Sequence, residues 1–277
     1  MKTAMTDKEQ IEELRKMIFI TAYKGNTGHL ASAFSVIEIL YVLYFKGIMK
    51  YDTSNPQWEE RDKLVMSKGQ GSLALYSVLS KAGFFPRKEL NTFCQPGSML
   101  GGEPRLGDIP GVEASTGSLG HGLSYAIGMA MAYKIQNKEN HVYVIIGDGE
   151  CQEGSVWEAA MAAANFKLDN LTVIMDNNKL QAMGTVKELM GIDDWSGRWK
   201  EFGWNVINID GHNVDEIERV LKVPNVIGTP TIIIANTIKG KGVSFMENVP
   251  IWHFRMPNEE ELEVVLSELD IKEEELK

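Results

Sequence analysis

The chain has 277 residues, 44% of them hydrophobic and 24% charged, a composition that excludes intrinsic disorder, a collagen-like repeat and a small disulfide-stapled module. Asp and Glu number 38 against 28 Lys and Arg, and a net charge of −10 would repel a phosphate backbone, so neither nucleic acid nor an anionic membrane surface is an expected partner. The longest apolar runs, such as Val142–Ile146 and Thr231–Ala235, fall far short of the roughly 20 residues of a spanning helix, and no membrane segment is expected.

The start, MKTAMTDKEQIEELRK, is polar where a secretory signal would be apolar, and only Cys94 and Cys151 are available to pair; a reducing cytoplasm is the expectation. In chain order, apolar positions at helical spacing run through Ile11–Tyr23 and Ser35–Phe45, and Lys63–Met66 reads as a strand. Helical spacing returns at Ser72–Lys81. A glycine-dense, irregular stretch then runs from Gly97 to Gly128 and overlaps a helical pattern over Gly120–Ile135. A long irregular segment inside a folded domain is usually functional. Val142–Ile146 reads as a strand, Val156–Phe166 as a helix, Leu171–Met175 and Asn205–Ile209 as strands, Val214–Leu221 as a helix and Thr231–Ala235 as a strand. Most of these strands are nearly continuous in apolar residues, as strands buried on both faces of a parallel sheet are. The fold class expected is therefore α/β, a doubly wound, mostly parallel sheet with helices on both faces. Glu259–Glu275 reads as an acidic surface helix, within a tail of about 258–277, carrying one apolar stripe of Leu262, Val265, Leu266 and Leu269. No 20-to-50-residue repeat and no linker interrupts the chain, so 1–277 is expected to form a single domain.

The strongest local signal is Gly147-Asp148-Gly149, directly after the buried run VYVII and before the helical pattern EGSVWEAAMAAANF. An acid between two glycines at a strand end lets backbone approach a ligand and presents a carboxylate to a hard cation. A plain turn in which the acid caps the next helix has the same local pattern. A second oxygen-rich turn, Asp176-Asn177-Asn178-Lys179-Leu180, follows the next strand, and adjacent parallel strands would bring both turns to one sheet edge. Mg²⁺ shared with phosphate oxygens takes one or two protein carboxylates or amides, carbonyls and water. Asp148, the Asn178 side chain and the Leu180 carbonyl could supply three such oxygens.

With Asn178 30 positions after Asp148, GDGE…DNN resembles the thiamine diphosphate (ThDP) binding motif. Lys24-Gly25-Asn26-Thr27-Gly28-His29, Ser67-Lys68-Gly69-Gln70-Gly71-Ser72, the run Gly111–Gly122 (GVEASTGSLGHG) and Trp252-His253 are similar, in this order, to the N-terminal part of the transketolase family, over roughly residues 10–265. The resemblance implies a ThDP-binding fold and the diphosphate-binding subunit of a split transketolase. Such an enzyme moves a two-carbon ketol unit from a ketose (phosphate) to an aldose (phosphate). It also implies a partner subunit with the pyrimidine-binding and C-terminal domains, whose glutamate activates the cofactor, in an α2β2 assembly.

Carried over position by position, the resemblance makes Asp148, Asn178 and Leu180 the ligands of Mg²⁺, with Ca²⁺ or Mn²⁺ able to take its place. Gly147, Gly149 and Asn178 meet the diphosphate, and Gly117, Ser118 and Leu119 form the loop on the cofactor, with Gln70 and His121 beside it. Ser118 stands where many relatives have proline. His29 and His253 border the substrate channel and assist proton transfer, and Glu153 and Glu158 link the two cofactor sites of the dimer, Glu153 as part of the catalytic set. His141 and His212 match no site motif and are expected to be structural or exposed. Two positions depart from the family pattern: Gln70 and Glu103 replace histidines that face cofactor and donor sugar. Glutamine carries no proton near neutral pH, and an acid at 103 would repel a nearby anionic group unless Arg105 pairs with it. Glu103 is thus expected to bind substrate, with altered donor recognition. Competing readings are the α-type subunit of another ThDP enzyme, such as a 2-oxoacid dehydrogenase, and a non-catalytic regulatory subunit of the same fold. A dinucleotide-binding dehydrogenase is disfavoured, because no G-x-G-x-x-G turn follows a strand.

Overall fold

A computed structural model of the chain describes residues 5–192 and 194–276, so Met1–Ala4, Asp193 and Lys277 of the expected 1–277 domain lie outside the described residues. Helix α1 (Asp7–Gly25) opens with a capping box in which Thr6 accepts from the Glu9 backbone and Glu9 accepts from that of Thr6. It buries Leu14, Ile18, Phe19 and Ala22, then stops at Asn26 in the left-handed region. Helix α2 (Leu30–Phe34) and helix α3 (Ile37–Phe45) follow, and strand β1 (Lys63–Met66) leads into α4 (Ser72–Ala82). After the glycine-rich segment come α5 (Gly122–Ile135), β2 (Val142–Gly147), α6 (Gly154–Asn165) and β3 (Leu171–Asn177). The chain continues through α7 (Val186–Met190), α8 (Ser196–Glu201), β4 (Asn205–Asp210), α9 (Val214–Leu221), β5 (Thr231–Asn236) and α10 (Glu259–Glu268).

The five strands form one parallel sheet in the order β1-β2-β3-β5-β4. Successive strand side chains point to opposite faces, and the sequence fills both with apolar groups. Tyr143 and Ile145 of β2, Ile174 of β3 and Ile233 of β5 face a core shared with α1, α3, α4 and α9. Val142, Val144 and Ile146, with Val173, Met175, Ile232 and Ile234, face the other core, which α5, α6 and α8 close with Trp195, Trp199 and Trp204. Each fully buried aliphatic side chain contributes roughly 1.5–3 kcal/mol, and burial on both faces explains why the strands carry little polar alternation. The register places Gly147 beside Asp176, and Asp176 beside Ala235. The GDG and DNN turns therefore lie side by side at the carboxyl edge, where ligands of open α/β sheets bind.

Three helical expectations differ from the structure. The pattern Ser35–Phe45 begins at Ile37, because Ser35 turns its hydroxyl onto Asp176 Oδ2 at 2.7 Å and the chain breaks between α2 and α3. The helix expected from Gly120 begins at Gly122, since the Gly120 N–H is held by Glu150. The acidic helix expected over Glu259–Glu275 closes at Glu268, and Asp270 takes a positive φ of 49° before a short 3₁₀ turn at Glu273–Leu276.

Candidate active site

At the carboxyl edge of the sheet, Lys68, Gln70, Leu119, Gly147, Asp148, Gly149, Glu150, Gln152, Glu153, Asn178, Leu180, Gln181, Lys239 and His253 are among the residues lining a cavity of about 260 Å³. Two larger clefts, of about 570 and 670 Å³, lie elsewhere and are lined largely by charged and polar surface residues such as Glu9, Glu12, Lys50 and Glu59. The smaller cavity is the one at which loops from the ends of β1, β2, β3 and β5 and the glycine-rich segment converge.

Asp148 is 2% exposed and accepts from the backbone N–H groups of Gly149, at 2.7 Å, and Lys179. Burial, reinforced by the neighbouring Asp176, pushes its carboxyl up to about 7. Asn178 is buried; its Nδ2 donates to Asp176 Oδ2 at 2.9 Å, which leaves Oδ1 to accept from the Leu180 N–H at 3.0 Å and keeps a lone pair free. The Leu180 carbonyl accepts from Lys239 Nζ at 3.3 Å. One carboxylate, one amide oxygen and one carbonyl make an all-oxygen donor set suited to a hard cation that shares phosphate oxygens. Among the described residues no cluster of three His, Cys, Asp or Glu side chains competes for a metal.

Asp176 is fully buried. Burial is the largest influence on it and acts to raise its pKa, but ion pairing with Lys68 and hydroxyl donors from Thr237 and Ser35 hold the carboxyl below its ordinary value. Lys68 also donates to the Ser32 carbonyl at 3.0 Å. Lys239, 2% exposed, reaches His253 Nδ1 at 2.9 Å, and burial together with Lys68 brings its pKa down to about 8. Since Nζ is the donor there, the hydrogen bond assigns the His253 proton to Nε2. The His253 ring meets His29 edge-on at 5.3 Å between centroids, and His29 packs on Phe254 at 4.6 Å. Burial first, then the Lys239 charge, lowers both histidines to about 4, so both are neutral at pH 7. The residue before His29 is Gly28, at φ 132°, where a Cβ would stand 2.7 Å from Leu73 Cδ1; only glycine fits that approach.

Of the residues singled out from sequence, Gln70, Leu119, Gly147, Asp148, Gly149, Glu153, Asn178, Leu180 and His253 line the cavity, with Glu153 exposed. His29 adjoins it through His253. Gly117 packs on Gly69, and a side chain at 117 would overlap the Glu103 carboxylate. Glu103 and Ser118 are exposed on that loop, and His121 turns its Nδ1 to the Leu119 carbonyl at 3.2 Å; none of the three lines the cavity. Arg105 pairs with Asp108 at 3.2 Å rather than with Glu103. His141 and His212 are structural: the first bonds Thr172 Oγ1 at 2.9 Å, and the second accepts from the Ile238 N–H at 2.8 Å. Sequence reasoning missed Lys68, Glu150, Asp176 and Lys239 as site residues. Each lies inside or beside a motif: Lys68 in SKGQ, Glu150 just after GDG, Asp176 opening DNN, and Lys239 before Gly240 past β5.

An open parallel sheet with a cation-ready, lysine-flanked cavity at its carboxyl edge defines a cofactor-binding α/β domain. The family model described as transketolase, thiamine diphosphate binding domain, matches residues 6–274, and the chain belongs to that family. It is 41% identical over 268 residues, 96% of its length and 95% of the other's, to one of the subunits of apulose-4-phosphate transketolase from Phocaeicola vulgatus. It is 42% identical over 264 residues, 95% of its length and 96% of the other's, to a 6-deoxy-6-sulfo-D-fructose transketolase subunit of Clostridium sp.. The crystal structure of Campylobacter jejuni transketolase superposes with a TM-score of 0.87 at 31% identity over 97% of this chain, which spans 44% of that one. Among the described residues, no helix is long and apolar enough to cross a membrane.

Proposed function

We propose that the chain is the diphosphate-binding subunit of a split, ThDP-dependent transketolase that transfers a two-carbon ketol unit between sugars in complex with a second subunit. The observation that carries the reading is the juxtaposition of the Asp148 carboxylate, the Asn178 amide and the Leu180 carbonyl around one cavity flanked by Lys68 and Lys239. Bound there, ThDP supplies the electron sink that cleavage of a carbon–carbon bond beside a ketone requires.

The three oxygens would hold Mg²⁺, or Ca²⁺ or Mn²⁺ in its place, against the diphosphate. The raised Asp148 carboxyl fits that role, since a buried acid with only backbone donors is completed by a cation. Gly147 and Gly149 let backbone approach the phosphates, and Lys239 adds positive charge on the same side. Leu119 and Gln70 line the cavity that would take the cofactor, with Gly117, Ser118 and His121 on the adjoining segment outside it. His29, neutral at working pH, exchanges a proton with a sugar hydroxyl, and His253, whose Nδ1 is taken by Lys239, donates its Nε2–H to the sugar. Glu153, exposed at the cavity rim, is available to a second copy of this chain across a two-fold axis in an α2β2 assembly. Glu103, whose carboxylate lies over Gly117 with Arg105 engaged elsewhere, accepts hydrogen bonds from the donor sugar and shifts donor preference. A cytoplasmic location accords with two free cysteines.

The cofactor-activating glutamate expected from the family is placed in this reading on the partner subunit, which the similarity to relatives named as transketolase subunits supports. The purified chain alone is therefore expected to show no ketol transfer, and to gain it on mixing with a partner that carries the pyrimidine-binding domain. Robust turnover by the single chain would overturn this reading.

A further inference from the structure

Glu150 follows the GDG turn and is 2% exposed, yet its carboxylate forms no ion pair among the described residues. Its Oε1 accepts from the Gly120 N–H at 2.9 Å and from the Ser67 hydroxyl, and its Oε2 accepts from the Gly147 N–H at 3.1 Å. These donors come from three separate segments: the end of β1, the end of β2 and the glycine-rich stretch before α5. The segments are in close contact, since a side chain at Gly122 would overlap Ser67 and one at Gly120 would meet Ser155 and Glu153. Leu119 and Gly147, each next to or within a tethered position, line the cavity.

From this geometry we propose that Glu150 is a positioning residue, a buried carboxylate clamp that fixes the 117–120 loop against the GDG turn and so sets the width of the cofactor cavity. The inference rests on the ThDP reading above. Burial works to raise the carboxyl, and the three donors and Lys68 oppose it. A carboxylate is suited to the task because it only accepts, and both of its oxygens are used. Glutamine of the same shape offers one accepting oxygen and turns an N–H group toward a donor, so one arm of the clamp must open.

The test uses the chain assembled with its partner subunit, in Glu150→Gln and in the milder Ser67→Ala, which removes one arm and carries the test should the first fail to fold. Amide exchange at residues 119–121 and 147 is measured without cofactor, and ThDP affinity by calorimetry with Mg²⁺. Faster local exchange is expected in both variants. ThDP affinity should fall roughly 10- to 100-fold in Glu150→Gln, as for residues that orient a binding group, and by less in Ser67→Ala. The apparent KM for ThDP should rise by a larger factor than kcat falls, a split that general loss of stability would not produce. Parent-like ThDP affinity in the folded variants overturns the positioning role alone. A parent complex that takes up no ThDP overturns the functional reading and this role with it.

Discussion

Buried charge sits at both ends of this sheet, and the two ends treat it differently. At the amino end, Arg61 Nε and Nη2 donate to the two Glu113 oxygens at 2.7 and 3.0 Å, and Lys63 Nζ adds a contact at 3.0 Å. Arg61 Nη1 is taken up by the Trp58 carbonyl at 2.7 Å, so the Arg61–Glu113 pair is matched, while the neighbouring buried Asp62 accepts only from the Lys50 and His141 backbone N–H groups and burial raises its carboxyl. At the carboxyl end, Lys68 and Asp176 are matched, but Asp148 is surrounded by backbone donors and Lys239 by a carbonyl and a neutral imidazole. The Arg61–Glu113 arrangement is closed. The carboxyl end keeps one acid raised to about 7 and one lysine lowered to about 8, and such displaced groups gather where a ligand completes the charge balance.

The contrast can be broken most sharply at Asp148. Asp148→Asn should abolish Mg²⁺-dependent ThDP uptake by the assembled complex in calorimetry. It should leave the Tm of the cofactor-free chain at pH 8 unchanged or higher, because a buried carboxylate with a raised pKa opposes folding once ionised. A matched pair should behave in the opposite sense. Glu113→Gln strands Arg61 and is expected to cost about 3–5 kcal/mol by denaturant unfolding, while ThDP affinity of the folded complex changes far less than in Asp148→Asn. Equal losses of affinity in both variants would erase the distinction between the two ends.

The smallest effect is a pH dependence. His29 binds its proton in the unfolded chain near the ordinary histidine value but in the folded chain only near 4. Between about pH 6.5 and pH 4 the unfolded state therefore holds more protons, and stability falls as pH falls through that window. His29→Asn should shallow the decline of Tm between pH 7 and pH 5. A decline as steep as the parent's would show that His29 is not held neutral.

All five strands were legible in the sequence, β2, β3 and β5 because two-sided burial leaves continuous apolar runs and the half-exposed edge strand β4 through Val206, Ile207 and Ile209, and the observed strands extend the readings by at most two residues. The GDG and DNN turns were legible because their residue types are local requirements of a tight approach and a hard ligand set. The break at Ser35–Val36 was not, since what stops that helix is Asp176, 141 residues away. Lys68, Glu150, Asp176 and Lys239 were hidden for the same reason: a charged residue reads as surface until partners from distant segments show it buried. The short helices α7 and α8 carry too few turns for a periodic signal to stand out.

The central claim is that Asp148, Asn178 and Leu180 form one cation site completing the charge balance of the carboxyl edge. The most direct test is a crystal structure of the assembled complex with ThDP and Mn²⁺, the metal located by its anomalous scattering. The account predicts a single peak touching a carboxylate oxygen of Asp148, Asn178 Oδ1 and the Leu180 carbonyl, with Lys239 Nζ moved from that carbonyl toward phosphate oxygen. A peak elsewhere, or ThDP bound with Lys239 still on the Leu180 carbonyl and no metal beside Asp148, would contradict it.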